Sequence, residues 1–218
     1  MKACKHLTFA AAMSAIAACG GFTDGGNGTK TLEVEARVSF VAGNANMNAR
    51  VSVVQDGAQV PLADVTLRDE ETEAIFTLAP EGNFYRASIA GGYRRKLELK
   101  IERGEDNLDA KLEGPGEHFV SSPFDRTTVE LGDDPLTVNW TVSDGIRADD
   151  VAISLDGSDY RGETNRDQGE VEVPRELLRV GDDVIHVERS NSVDLDGGTG
   201  SSRFTMSYEA TSSVTFAD

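Results

Sequence analysis

The sequence predicts an all-β chain, two tandem β-sandwich domains behind a cleaved leader and a flexible tether. Three observations predict it. Apolar residues recur with period two in short runs, turn residues separate those runs, and no long amphipathic helix pattern occurs. A short apolar segment opens the chain and ends in small residues and a cysteine.

The leader comes first. Lys2 and Lys5 make a positive start, and Leu7 to Ile16 is a mostly apolar run. Its length of about ten residues suits a secretory signal and is too short to span a bilayer as a helix. Ile16-Ala17-Ala18-Cys19 follows, and it resembles the lipobox of bacterial lipoproteins. The resemblance covers only the leader. It implies a signal peptide of residues 1–18, cut between Ala18 and Cys19, with lipid on the sulfur and the new amine of Cys19. It also implies a bacterial cell-envelope location and a membrane held through the lipid. Gly20 in place of an aspartate points to the outer membrane. Cys4, the other of the two cysteines, lies inside the leader, so cleavage leaves a mature chain with no cysteine pair and no intrachain disulfide.

Residues 19–30 form the lipidated cysteine and the tether. GGFTDGGNGT is rich in glycine and small polar residues, and a flexible chain of that length reaches about 17 Å.

The first domain is expected over 31–120. Leu32, Val34, Ala36, Val38 and Phe40 alternate with Glu33, Glu35, Arg37 and Ser39, which reads as a half-buried strand. Shorter runs follow at Arg50–Val54, Asp64–Leu67, Ala74–Leu78, Phe84–Ile89, Leu97–Ile101 and Asp109–Leu112. Asp56-Gly57, Glu81-Gly82-Asn83, Gly91-Gly92 and the Gly104–Asn107 stretch punctuate them. Gly114-Pro115-Gly116 and Ser121-Ser122-Pro123 mark the middle of the chain, with the boundary placed near Val120.

The second domain is expected over 121–218. Its runs are Thr128–Leu131, Leu136–Val142, Val151–Leu155, Gly169–Val173, Val184–Glu188 and Arg203–Phe216. In Leu136–Val142 the apolar residues share a face with Trp140, the one tryptophan of the chain. Val171 to Pro174, Leu177-Leu178, Gly181 and Val184 to Val187 read as strand, corner and strand. On these residues the second half resembles immunoglobulin-like or fibronectin-type domains. The corner tyrosine of those domains is replaced by Asp183, and their cysteine pair is absent. The resemblance implies a fold and no particular function.

Charge narrows the partners. The whole chain carries −17, and the halves differ: residues 31–120 are at −6 and residues 121–218 at −13. Such a surface repels phosphate backbones, so nucleic acid is not an expected partner. An envelope protein or a glycan is.

Catalytic chemistry is sparse. His118 and His186 are the histidines outside the leader. His186 alternates with Ile185 and Val187 and is expected to face outward. Neither histidine lies near a nucleophile motif, no Gly-x-Ser-x-Gly occurs, and thiolate zinc sites are excluded by the cysteine count. No catalytic residue and no cofactor is assigned, and the chain is not expected to be an enzyme. Calcium is the one metal candidate. Asp194-Leu195-Asp196-Gly197-Gly198 has the look of half a calcium loop, with Asp194 and Asp196 as ligands. The full pattern fails at Gly198 and lacks a closing glutamate, and aspartate and glycine also favour plain solvated turns. The expected function is non-catalytic binding or structure at the envelope. A calcium-dependent glycan- or protein-binding module and an accessory lipoprotein of an envelope or secretion assembly are the alternatives.

Overall fold

The computed structural model describes residues 30–218 apart from Asp159 and Asn165. Ala18 and Cys19 lie outside the described residues.

The alternation in the sequence becomes strands. The first half contains β1 (Leu32–Val41), β2 (Asn46–Gln55), β3 (Ala58–Gln59), β4 (Asp64–Asp69), β5 (Ile75–Thr77), β6 (Ala79–Glu81), β7 (Phe84–Ala90), β8 (Lys96–Arg103) and β9 (Asp106–Glu113). The second contains β10 (His118–Ser122), β11 (Thr127–Glu130), β12 (Leu136–Val142), β13 (Asp150–Leu155), β14 (Tyr160–Thr164), β15 (Glu170–Val173), β16 (Gly181–Asp194) and β17 (Arg203–Ala217). One 3-10 turn, Arg175–Leu177, is the helical element among the described residues. The described residues are nearly all β, as the periodicity predicts. Among the described residues no helix is long and apolar enough to cross a membrane.

Two sheets face each other in each half. In the first, β6-β7-β2-β1 covers β5-β4-β8-β9. β1 buries Leu32, Val34, Ala36, Val38 and Phe40 and turns Glu33, Glu35 and Arg37 to solvent. In the second, β10-β12-β15 covers β14-β13-β16-β17, with β11 on the far side of β17. Val138 and Trp140 of β12 are buried in the same core as Ile153, Ile185, Val187 and Phe216. Asp183 stands where the corner tyrosine was sought. It is buried, and its carboxylate accepts from the Gly157 and Val184 N–H groups and the Ser158 hydroxyl. A short acid thus ties the corner to the β13–β14 turn in place of a phenol.

The strand rhythm does not reveal how the halves join. β16 and β17 form a hairpin 14 and 15 residues long. At about 3.3 Å per residue, β17 extends roughly 45–50 Å. Its first part pairs in parallel with β1, from Glu35 opposite Arg203 to Val41 opposite Glu209. Its last part pairs in parallel with β11, from Thr127 opposite Val214 to Glu130 opposite Ala217. One strand therefore closes both halves, one ten-stranded sheet runs through them, and the buried residues form one continuous core. The hairpin tip also docks on the first half. Ser202 is fully buried there, donating to the Leu32 carbonyl and accepting from the Val34 N–H.

Gly114-Pro115-Gly116 is buried where the halves meet. A Cβ on Gly114 would stand 2.5 Å from the Tyr93 hydroxyl, and one on Gly116 would stand 2.0 Å from an Asp144 carboxylate oxygen. This segment is a close-packed crossing.

Candidate functional site

A broad concavity lies on the outer face of the ten-stranded sheet. It is a groove of about 850 Å³ floored by β13, β16 and β17, with β1 on one side and β14 on the other. Arg37 and Arg161 stand on opposite sides, and Asp156, His186, Glu188 and Glu209 line it between them. Arg37, His186, Glu188 and Glu209 are outward-facing residues of the long strands β1, β16 and β17, whose alternate neighbours Val38, Ile185, Val187 and Ala210 are committed to the core. Asp156 and Arg161 come from the β13–β14 turn and β14. Arg37 pairs with Glu188 across the groove.

His186 faces outward, as its alternation predicts, and sits in this groove. Its Nδ1 is 2.7 Å from Glu209 Oε1 and its Nε2 is 3.2 Å from Asp156 Oδ2. Carboxylates only accept, so making both bonds at once requires both ring nitrogens to donate, which is the imidazolium form. Burial alone would push its pKa down. The hydrogen bonds to Glu209 and Asp156 outweigh that and raise it above the ordinary value. Ser154 lies directly opposite His186 on the neighbouring strand. A serine nucleophile needs a free imidazole nitrogen to take its proton, and here both nitrogens are engaged by carboxylates. The groove suits polar binding and not acyl transfer.

Glu209, Glu188 and Arg37 belong to this site although no motif in the sequence singles them out. The one legible signal was that Glu188 shares the outward face of its strand with His186. The pairing of β16 with β17 and of β17 with β1 is what assembles the rest.

His118 is elsewhere. It is buried at the junction, its Nε2 lies 2.9 Å from the Val187 carbonyl, and its ring stacks 5.2 Å from Tyr208. Tyr208 in turn meets Phe40 and Tyr93. The His118 Nδ1 has no hydrogen-bond partner among the described residues. Burial, above all, pushes the His118 pKa down to about 4. It is a neutral core residue.

The same junction buries a charge pair that no motif announced. Arg189 is fully buried on the face shared by Ile185 and Val187. Its guanidinium donates to Asp167, to the Gly116 carbonyl at 2.7 Å and to the Ile146 carbonyl at 2.5 Å. Asp167 also accepts from the Trp140 indole N–H and the Ala148 N–H, both at 2.9 Å. Burial would raise the Asp167 pKa, but these donors overcome it and hold the carboxyl below its ordinary range.

The two calcium candidates lie near the hairpin tip. Asp194 is exposed and pairs with Arg203 at 3.5 Å. Asp196 forms an isolated backbone bridge with Asp109. Among the described residues, no group of three or more His, Cys, Asp or Glu is placed to hold a metal ion. Other acidic turns have partners within the chain. Asp144 pairs with Arg95 and Asp149 accepts from the Ser192 N–H. The lipidation and cleavage residues, Cys19 and Ala18, are outside the described residues.

No family model and no curated protein matches the chain. Among solved structures, it is similar to the fibronectin(III)-like modules of CbhA from Clostridium thermocellum. That match has 18% identity and a TM-score of 0.28, and covers 85% of this chain and 95% of that one. It is also similar to a 1.5-MDa bacterial ice-binding adhesin, with 15% identity and a TM-score of 0.27, covering 85% of this chain and 65% of that one.

Proposed function

We propose that this chain is a lipid-anchored protein of the bacterial cell envelope, a fixed-geometry binding module without catalysis. The anchor is supported by Ile16-Ala17-Ala18-Cys19 after a short apolar run, and by the absence of a cysteine pair once the leader is cut. Gly20 favours the outer membrane. The observation that carries the non-catalytic reading is His186, the one groove histidine, with each ring nitrogen directed at a carboxylate. The hairpin shared by both halves supports the positioning role, because a strand continuous through both leaves no hinge within it.

The test is Cys19→Ser in a cell that lipidates its exported proteins. The native chain is expected to incorporate labelled palmitate and to sediment with membranes. The variant is expected to lose the label and appear in the soluble fraction. A variant that remains processed and membrane-bound would overturn the anchor.

A further inference from the structure

We infer that the outer face of the β1-β2-β7 sheet docks a linear acidic glycan whose sugars carry carboxylates; the inference rests on reading the chain as an envelope binding module. Arg37, Arg50 and Arg86 lie directly opposite one another on these three neighbouring strands. All three are exposed. Neighbouring strands are about 4.8 Å apart, so the row presents three guanidinium groups in a line across the sheet. Like charges placed directly opposite destabilise a sheet, and this row persists in a chain with a net charge of −17.

The two outer arginines have partners on the protein. Arg37 pairs with Glu188, and Arg86 lies 3.4 Å from Glu81. Arg50, in the middle, has no carboxylate within 4.0 Å among the described residues, and its guanidinium lies 3.4 Å over the Phe84 ring. That stacking holds the planar fork in place and leaves its N–H edges to bond a carboxylate.

The rows on either side select the ligand. Two residues along the strands, Ser39, Asn48 and Ser88 form a parallel row in the same register. Hydroxyl and amide groups beside a line of guanidiniums match a polymer that carries both hydroxyls and carboxylates. On the other side stand Glu35 and, on β6, Glu81, both exposed. A plane of anionic headgroups would meet these carboxylates as well as the arginines. A single chain laid along the row would not. A polyphosphate has a denser charge and is repelled more strongly by the acidic remainder of the surface.

The experiment uses the full chain in detergent and sodium alginate as the uronic-acid polymer. Binding is read by interferometry at low and moderate salt, with neutral dextran and phosphatidylglycerol vesicles as comparison probes. The native chain is expected to bind alginate with an affinity that falls as salt rises, to leave dextran unbound, and to enter vesicles through its lipid to the same extent with or without Arg50→Gln. Arg50→Gln is expected to weaken binding about tenfold, the ratio for one charge-assisted hydrogen bond. Arg126→Gln changes the net charge equally at a loop of the second half and is expected to leave binding unchanged. Unchanged melting temperatures verify that both variants are folded. No alginate binding, an equal loss in Arg126→Gln, or vesicle binding that depends on Arg50 would each overturn the inference. Membrane retention through Cys19, measured on the same preparations, stands or falls separately.

Discussion

Replacing Arg189 with methionine removes the cation at the centre of the junction and leaves its partners buried. The Asp167 side chain is 3% exposed and would keep only the Trp140 and Ala148 donors. The Gly116 and Ile146 carbonyls would lose their guanidinium donor. Breaking a buried ion pair from one side costs about 3–5 kcal/mol, because the remaining charge has no counterion. For a chain of this size each kcal/mol shifts the melting temperature by about 2–4 °C, so a fall of roughly 10 °C is expected. Urea and thermal unfolding of the native chain, Arg189→Met, Asp167→Leu and the double variant measure it. The double variant should be less destabilised than the sum of the two singles, since it leaves no unpaired charge. A loss below about 1 kcal/mol in Arg189→Met, or strict additivity in the double variant, would refute the reasoning.

Three further outcomes follow from the same geometry. His118 is neutral in the fold with a pKa near 4, while the unfolded chain protonates it near 6.5. Its contribution is therefore complete above about pH 6.5 and is lost as pH falls toward 4, about 3 kcal/mol in all. His118→Gln should flatten that part of the stability profile measured by urea unfolding. His186 carries the opposite sign, because its pKa is raised in the fold. Its contribution is present below its unfolded pKa and is lost as pH rises through the folded one. An NMR titration should give a midpoint above the ordinary histidine value, and Glu209→Gln should lower it. For calcium, melts with added Ca²⁺ and with chelator should superimpose, since Asp194 is engaged by Arg203. A clear rise with Ca²⁺ would support Asp194 and Asp196 as ligands.

The strands that one face commits to the core were legible in the sequence. Leu136–Val142 is β12 residue for residue, and the long run from Arg203 is β17. The run at Val184–Glu188 understated β16, which continues to Asp194. The reason is physical: Arg189 takes an inward position, so apolar periodicity breaks at the residue that joins the halves. β14, reading Tyr-Arg-Gly-Glu-Thr, is a short polar edge strand with little apolar signal. His186 was placed on the correct face by alternation alone. Its partners Asp156 and Glu209 are 30 and 23 residues away, and only strand pairing brings them to it. The arginine row escaped notice for the same reason. Arg37, Arg50 and Arg86 are separate exposed residues in the sequence and become neighbours only through register.

The proposed anchor requires a mature chain that begins at a lipidated Cys19. Intact-mass spectrometry of the protein extracted from membranes tests it most directly. The account predicts a chain lacking residues 1–18, with acyl mass localised to an N-terminal peptide that starts at Cys19. A membrane-extracted chain that retains residues 1–18, or one that starts at Cys19 with no added mass, would contradict it.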